Sequence, residues 1–358
     1  MKLSFNRGEW SEIYTVLYLL FNPNLELVDS KLNSINTNLL RIKSINLKNN
    51  QDEIFIKYLV EDSGNVKILS DKKILGIISK EELEQNKSLI LNNILDSKPG
   101  KRSFTIKGIK NFLQKLDNEN YIKANSLKKS DLDSTVHDLK TDNLIDLSYS
   151  IKSSLGSPST ILNSSKRTNF LYKINDLKKE DIEVINSIHT RAKLVDRINK
   201  IYSLGGSIEF VKVSDSTFDY NLKMIDSNLP FYLGNALLKS YEKGVKNLKK
   251  LFIESVKPFD FDYAYKKLGD FLESISFGLF PSIKWNGKNS VNGGLVIVKS
   301  NGLVVVIDLV YFKNEVRNYL IEQTKLDTPS SKRYNMLELY LDNNEIYFTL
   351  NLQIRYKK

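Results

Sequence analysis

Lys129-Ser130-Asp131-Leu132-Asp133, followed later by Ser150-Ile151-Lys152, is the part of the sequence best suited to chemistry. A carboxylate, a hydroxyl and an amine in that order suit hydrolysis of a phosphodiester beside a hard metal ion. Mg2+ takes oxygen ligands and keeps several waters, so one or two carboxylates and a substrate phosphate hold it. The ion acidifies an attacking water and stabilises charge on the phosphate oxygens; a neighbouring lysine orients that water. With 18 residues between Asp131 and Ser150, two adjacent strands fit the spacing. Side chains alternate along a strand, so Ser150 and Lys152 share a face. A hairpin return brings Asp131 alongside, with the Ile151 carbonyl between as a further metal ligand. Ordinary structure fits the same letters: Asp131 as a turn residue and Lys152 as a solvated strand end.

The pattern is that of a PD-(D/E)-x-K nuclease with Ser150 standing where the second acid should be. The N-terminal Gly8-Glu9-Trp10-Ser11-Glu12 offers two carboxylates three residues apart on one helix face. Glu12 borders the apolar stripe and can face a metal site, whereas Glu9 suits a first-turn acid that complements the helix dipole. Asp138 and Asp146 are alternative ligands. His137 beside Asp138 suggests a His–Asp base, but neighbours on a strand face opposite ways, so a buried, hydrogen-bonded histidine is expected.

Composition narrows the choices. The 358 residues contain no cysteine and two histidines, which removes thiolate nucleophiles, Cys-based zinc sites and His-rich metal clusters. Neither a phosphate-binding G-x-x-x-x-G-K-[ST] loop nor a G-x-G-x-x-G cradle is present. The formal charge of +11 suits a polyanionic partner such as nucleic acid, although only nine of the 53 basic residues are Arg. The excess is local: residues 97–180 carry net +7 and 276–358 net +4, while 1–96 carry −1 and 181–275 carry +1. No run approaches the roughly 18 apolar residues of a membrane span. The start lacks a hydrophobic signal core, so the cytoplasm is the expected location.

The elements that must position these residues follow from periodicity. Helices are expected at Gly8 to Phe21, Lys80 to Leu95 and Ile106 to Leu116, with a break at Pro99-Gly100. Strands are expected at Glu53 to Val60, Lys73 to Ile78, Asp131 to Leu139 and Leu144 to Lys152. An apolar run at Asn169 to Ile174 precedes one long helix from Glu180 to Leu204. Residues 216–275 read as helices broken at Pro230 and Pro258. Strands return at Leu295 to Val298, Leu303 to Leu309, Glu338 to Leu341 and Tyr347 to Ile354. Trp10 and Trp285 are expected as core anchors. The whole reads as α/β, a mixed sheet flanked by helices with helical and β-rich C-terminal elaborations. Residues 1–215 would be the nuclease core and 216–358 the target-recognition part.

Several of these segments together resemble the HpaII-type restriction endonucleases. They are Arg7-Gly8-Glu9-Trp10-Ser11-Glu12-Ile13-Tyr14, Lys129-Ser130-Asp131, His137-Asp138, Tyr149-Ser150-Ile151-Lys152-Ser153 and Leu155-Gly156-Ser157-Pro158-Ser159-Thr160. Thr168-Asn169-Phe170, Gly278-Leu279-Phe280-Pro281, Thr328-Pro329-Ser330-Ser331 and Leu350 to Arg355 continue the series in matching order. The resemblance implies a Mg2+-dependent type II endonuclease of a restriction–modification system. It would act on double-stranded DNA at CCGG, cutting after the first C, with the PD-(D/E)-x-K fold. Asp131 and Lys152 fall on the core motif, and Glu12 is assigned as the displaced acid. A homodimer is one expected state, and a cognate methyltransferase is a functional partner.

For a G·C target, Arg bidentate to guanine is the natural reader. Arg333, after Lys332, is the first candidate, with Arg355 and Arg167 next. Ser157, with Lys166 and Arg167, suits phosphate contact. The rivals are a non-catalytic DNA-binding protein that kept the fold and acts as a regulator, and an interaction protein whose charge is compositional.

Overall fold

In the computed structural model, residues 4–48, 53–70, 73–97, 103–116 and 129–357 are described. The break expected at Pro99-Gly100 lies outside them. In chain order the first part forms β1 (Ser4–Phe5), α1 (Arg7–Phe21), β2 (Leu40–Lys48), β3 (Ile54–Val60), β4 (Val66–Ser70), β5 (Lys73–Ile78), α2 (Lys80–Asp96), β6 (Phe104–Thr105), α3 (Lys110–Leu116), β7 (Leu132–Asp138) and β8 (Asn143–Ser153). The middle forms β9 (Thr160–Leu162), β10 (Asn169–Asn175), α4 (Asp181–Asn186), α5 (Lys193–Ser203), β11 (Ser207–Val213), α6 (Ser216–Lys223), α7 (Leu229–Glu242), α8 (Leu248–Ser255) and α9 (Phe261–Phe277). The last part forms β12 (Gly294–Val298), β13 (Val304–Asp308), α10 (Lys313–Gln323), β14 (Thr324–Leu326), β15 (Tyr340–Asp342), β16 (Glu345–Asn351) and β17 (Ile354–Tyr356).

These elements make two compact units, Met1–Ser159 with Asn289–Tyr319, and Thr160–Lys288 with Leu320–Lys357. Neither is contiguous in sequence. The first unit holds an eight-stranded mixed sheet in the order β13-β12-β8-β7-β2-β3-β4-β5. Its pairs are antiparallel except β12, which runs parallel to β8 with Ile297 opposite Lys152. Gly294 makes the β12–β13 approach possible: its φ is +120°, and a Cβ there would lie 2.2 Å from the Ile307 carbonyl oxygen.

One face of this sheet is apolar and covered by helices. Asn6 caps α1 in a reciprocal box with Glu9. The buried stripe Trp10, Ile13, Leu17 and Leu20 packs in one cluster with Tyr58, Ile68, Leu132, Val136, Tyr149 and Ile151. Trp10 is fully buried and donates its indole N–H to the Phe104 carbonyl at 3.0 Å. The second unit holds two antiparallel sheets, β11-β10-β16-β15 and β14-β17-β9, together with helices α4 to α9. A mixed α/β architecture with a large mixed sheet flanked by helices is therefore observed.

Several elements differ from expectation for local reasons. β2 was not anticipated because a register shift between Ile42 and Ser44 moves its apolar residues from even to odd positions. Nor were β4 and β11. The third helix begins only at Lys110, since Gly108 has a φ of +86°. The single helix expected from Glu180 to Leu204 is two, α4 and α5. Fully buried Arg197 holds the break by donating to the carbonyls of Asn186, Ile188 and Leu337. Pro230 sits in the first turn of α7 rather than interrupting a helix. The run Tyr347 to Ile354 divides into β16 and β17. Trp285 is half-buried, with its indole bonded to the nearby Lys288 carbonyl, and is no core anchor.

Candidate active site

β7 and β8 form the hairpin that the spacing suggested. Leu132 pairs with Tyr149, and the Asp131 amide donates to the Tyr149 carbonyl at 2.8 Å, which sets Asp131 opposite Ser150. Asp131 Oδ2 accepts from the Ile151 amide at 2.7 Å and from the Ser150 hydroxyl at 3.1 Å. Lys152 Nζ lies 3.8 Å from the same oxygen and donates to Ser150 Oγ at 2.7 Å. The serine thus accepts from the ammonium and donates to the carboxylate, using both sides of its hydroxyl. It is fully buried, whereas Asp131 and Lys152 keep about a fifth of their side chains exposed. Ile151 reaches Asp131 through its N–H.

Glu12 comes to the same site from α1. The Ser153 and Ser11 hydroxyls are 3.0 Å apart, which fastens the helix beside the end of β8. Burial raises the Glu12 carboxyl to about 7, and the charge of Asp131 adds to this, while Lys152 opposes it and Glu9 contributes last. No described residue hydrogen-bonds the Glu12 carboxylate. Glu9 instead accepts from the Asn6 amide at 2.8 Å, completing the helix cap. Lys129, given no role from the sequence, belongs to this cluster too. Burial first, and then Lys152, lower its ammonium to about 8, with Asp131 acting the other way. Its signal was its place two residues before Asp131 in a motif otherwise read for acids.

The donor chemistry fits a hard divalent cation. Asp131 Oδ1 has no hydrogen-bond partner among the described residues, and its other oxygen is held in place by two donors. Glu12 adds a half-buried carboxylate that burial and then the charge of Asp131 raise, and that a bound cation would lower again. No group of three or more His, Asp or Glu that could hold a metal occurs among the described residues. The set therefore suits an ion that retains waters and takes a substrate phosphate, not a closed all-protein cage.

The other acids lie elsewhere. Asp138 is buried at the far end of β7. Burial works against its charge, but the Tyr311 and Thr141 hydroxyls and the Lys140 and Thr141 amides outweigh it and hold the carboxyl below its ordinary value. Asp146 accepts from Thr135 at 2.8 Å, four ladder pairs away from Asp131. His137 is half-buried rather than buried, and its ring bonds Asp142 in the hairpin turn at 2.6 Å. It steadies the turn.

The candidate DNA contacts divide by their partners. Arg167 is bound to Asp215 at 2.8 Å, and Arg355 to Asp327 at 3.1 Å. Arg333 is exposed and has no carboxylate partner among the described residues; its guanidinium lies over the Tyr334 ring at 5.5 Å. Lys332, Lys166 and Ser157 are exposed. Thr328 and Ser331, from the motif preceding Arg333, line a cavity of about 240 Å3 with Lys246 and Asp327.

Comparison with known proteins agrees with this chemistry. The family model of the HpaII restriction endonuclease matches residues 6–356. The type II restriction enzyme HpaII of Haemophilus parainfluenzae is 35% identical over 362 residues, covering 99% of this chain and 98% of that enzyme. No solved structure matches the chain. With its carboxylate, hydroxyl and lysine gathered on one hairpin and its similarity running almost end to end, the chain belongs to the HpaII restriction endonuclease family and is a type II site-specific endonuclease.

Proposed function

We propose that the enzyme is Mg2+-dependent, has the PD-(D/E)-x-K fold, and cuts double-stranded DNA at CCGG. The observation that carries this is the convergence of Asp131, Ser150 and Lys152, with Glu12 arriving from α1. Type II enzymes generally need a divalent metal, and the open oxygens of Asp131 and Glu12 support Mg2+ as that ion. The Ile151 carbonyl stands as a further ligand. The bound ion supplies an acidified water and a countercharge for the phosphate. Lys152, oriented by Ser150, holds that water in line, and Lys129 adds positive charge facing the phosphate.

Target reading is assigned to the C-terminal part, 216–358, and the cleavage core to 1–215. Arg333 is the foremost base reader, since it has no carboxylate partner, with Arg355 and Lys332 beside it in the sequence roles given above. Arg167, Lys166 and Ser157 contact phosphates. A homodimer matches the two-fold symmetry of the target, and a methyltransferase of the same specificity protects host DNA. Location in the cytoplasm agrees with the lack of any described helix long and apolar enough to cross a membrane.

Digestion of a plasmid of known sequence with Mg2+, followed by end-sequencing of the fragments, tests target, stagger and metal together. Fragments ending within CCGG are expected. Ends at another sequence overturn the specificity, and salt-sensitive binding without any cleavage product would return the chain to the role of a DNA-binding regulator.

A further inference from the structure

We infer that Ser153 is a positioning residue whose hydroxyl, bonded to Ser11, sets where Glu12 stands relative to Asp131 and Lys152. The inference rests on Glu12 being a metal ligand, as proposed above. Ser153 directly follows Lys152 on β8, and Ser11 directly precedes Glu12 on α1. Ser153 Oγ donates to Ser11 Oγ at 3.0 Å, and Ser11 Oγ donates to the Arg7 carbonyl one helical turn back at 2.7 Å. The Leu155 amide donates to Ser153 Oγ at 3.1 Å, and Arg7 Nη1 donates to the Leu155 carbonyl at 3.3 Å.

These four bonds close a ring through Leu155, Ser153, Ser11 and Arg7. Each hydroxyl accepts once and donates once, so the direction of every bond is set. Arg7 and Ser11 are four residues apart on one helix face, so the ring grips the first two turns of α1 against the exit of β8. Arg7 is held from its other side by Ser97, through an Nε bond of 2.8 Å to the hydroxyl. No described residue hydrogen-bonds the Glu12 carboxylate itself, so its placement follows from where the helix is held. Partners that orient a metal ligand typically change metal affinity by about ten- to a hundredfold when removed.

The test compares wild type, Ser153→Ala, Ser153→Thr and Glu12→Ala as full-length proteins. Mg2+ dependence of plasmid cleavage is one readout; calorimetric titration of Mn2+ into the protein without DNA is the other. Ser153→Ala is expected to raise the half-saturating Mg2+ concentration, and to weaken Mn2+ binding, on the order of tenfold. Its rate at saturating metal and its melting temperature should stay near wild type, and Ser153→Thr, which keeps the hydroxyl, should restore both metal readouts. Wild-type metal dependence in Ser153→Ala beside an impaired Glu12→Ala overturns the positioning role alone. Wild-type behaviour of Glu12→Ala in both readouts overturns the ligand assignment and this inference with it.

Discussion

The Lys152 ammonium donates to the Ser150 hydroxyl at 2.7 Å, and that hydroxyl donates onward to Asp131 at 3.1 Å. A serine at the place of an expected acid therefore links the lysine to the carboxylate. The second carboxylate proposed for the metal, Glu12, comes from a different element, α1.

Removing either end of that link should stop cleavage. Asp131→Asn and Lys152→Ala are each expected to lower the rate by about a hundredfold or more. Both side chains are partly exposed, so folding should survive, as circular dichroism would show. Plasmid cutting at the wild-type rate by either variant removes that residue from the site.

Ser150→Ala keeps both charges but loses the hydroxyl between them. Hydrogen bonds to charged groups contribute about 1.5–3 kcal/mol, so a fall of about tenfold to a hundredfold is expected, smaller than for Asp131→Asn. Single-turnover cleavage at saturating Mg2+ measures it, and an unchanged rate would make the serine a packing residue only.

The Glu12 carboxyl, raised to about 7, is protonated below that pH and binds a cation only when ionised. The Mg2+ concentration needed for half-maximal cleavage should climb as the pH falls below about 7, and Glu12→Gln should abolish this dependence. Stability has the opposite sign. The folded value lies above the ordinary 4.5, so the contribution is full below about 4.5 and is lost as the pH rises through about 7. Glu12→Gln should accordingly raise stability at pH 8 by about 1–3 kcal/mol, read by thermal melting without metal.

Arg333→Ala should reduce discrimination between CCGG and single-base variants by about 1–3 kcal/mol. Arg167→Ala should weaken binding to all duplexes alike and flatten its salt dependence. Competition binding with Ca2+ in place of Mg2+ separates the two, and equal effects on every duplex from Arg333→Ala would exclude base reading.

Gly294→Ala adds a methyl 2.2 Å from the Ile307 carbonyl oxygen at a φ of +120°. It should destabilise the fold by well over about 1 kcal/mol. A melting temperature equal to wild type would show that β12 and β13 can separate there.

By itself the sequence carried the local relationships on which the site is built. Alternation on β8 puts Ser150 and Lys152 on one face, the 18-residue separation of Asp131 and Ser150 suits a hairpin, and the stripe from Trp10 to Leu20 makes α1 amphipathic. Scarcity of histidine and cysteine directed the chemistry to carboxylates and lysine. These signals repeat over a few residues, so periodicity suffices to read them. Tertiary structure alone decided the rest. Residues 289–319 return to the first unit and lay β12 parallel to β8, the Arg7–Ser11–Ser153–Leu155 ring ties α1 beside Lys152, and burial, with the charge of Asp131 adding to it, raises Glu12. Those relationships join residues more than a hundred positions apart. Which partner occupies each contact is settled when the apolar faces pack, and no local pattern records it.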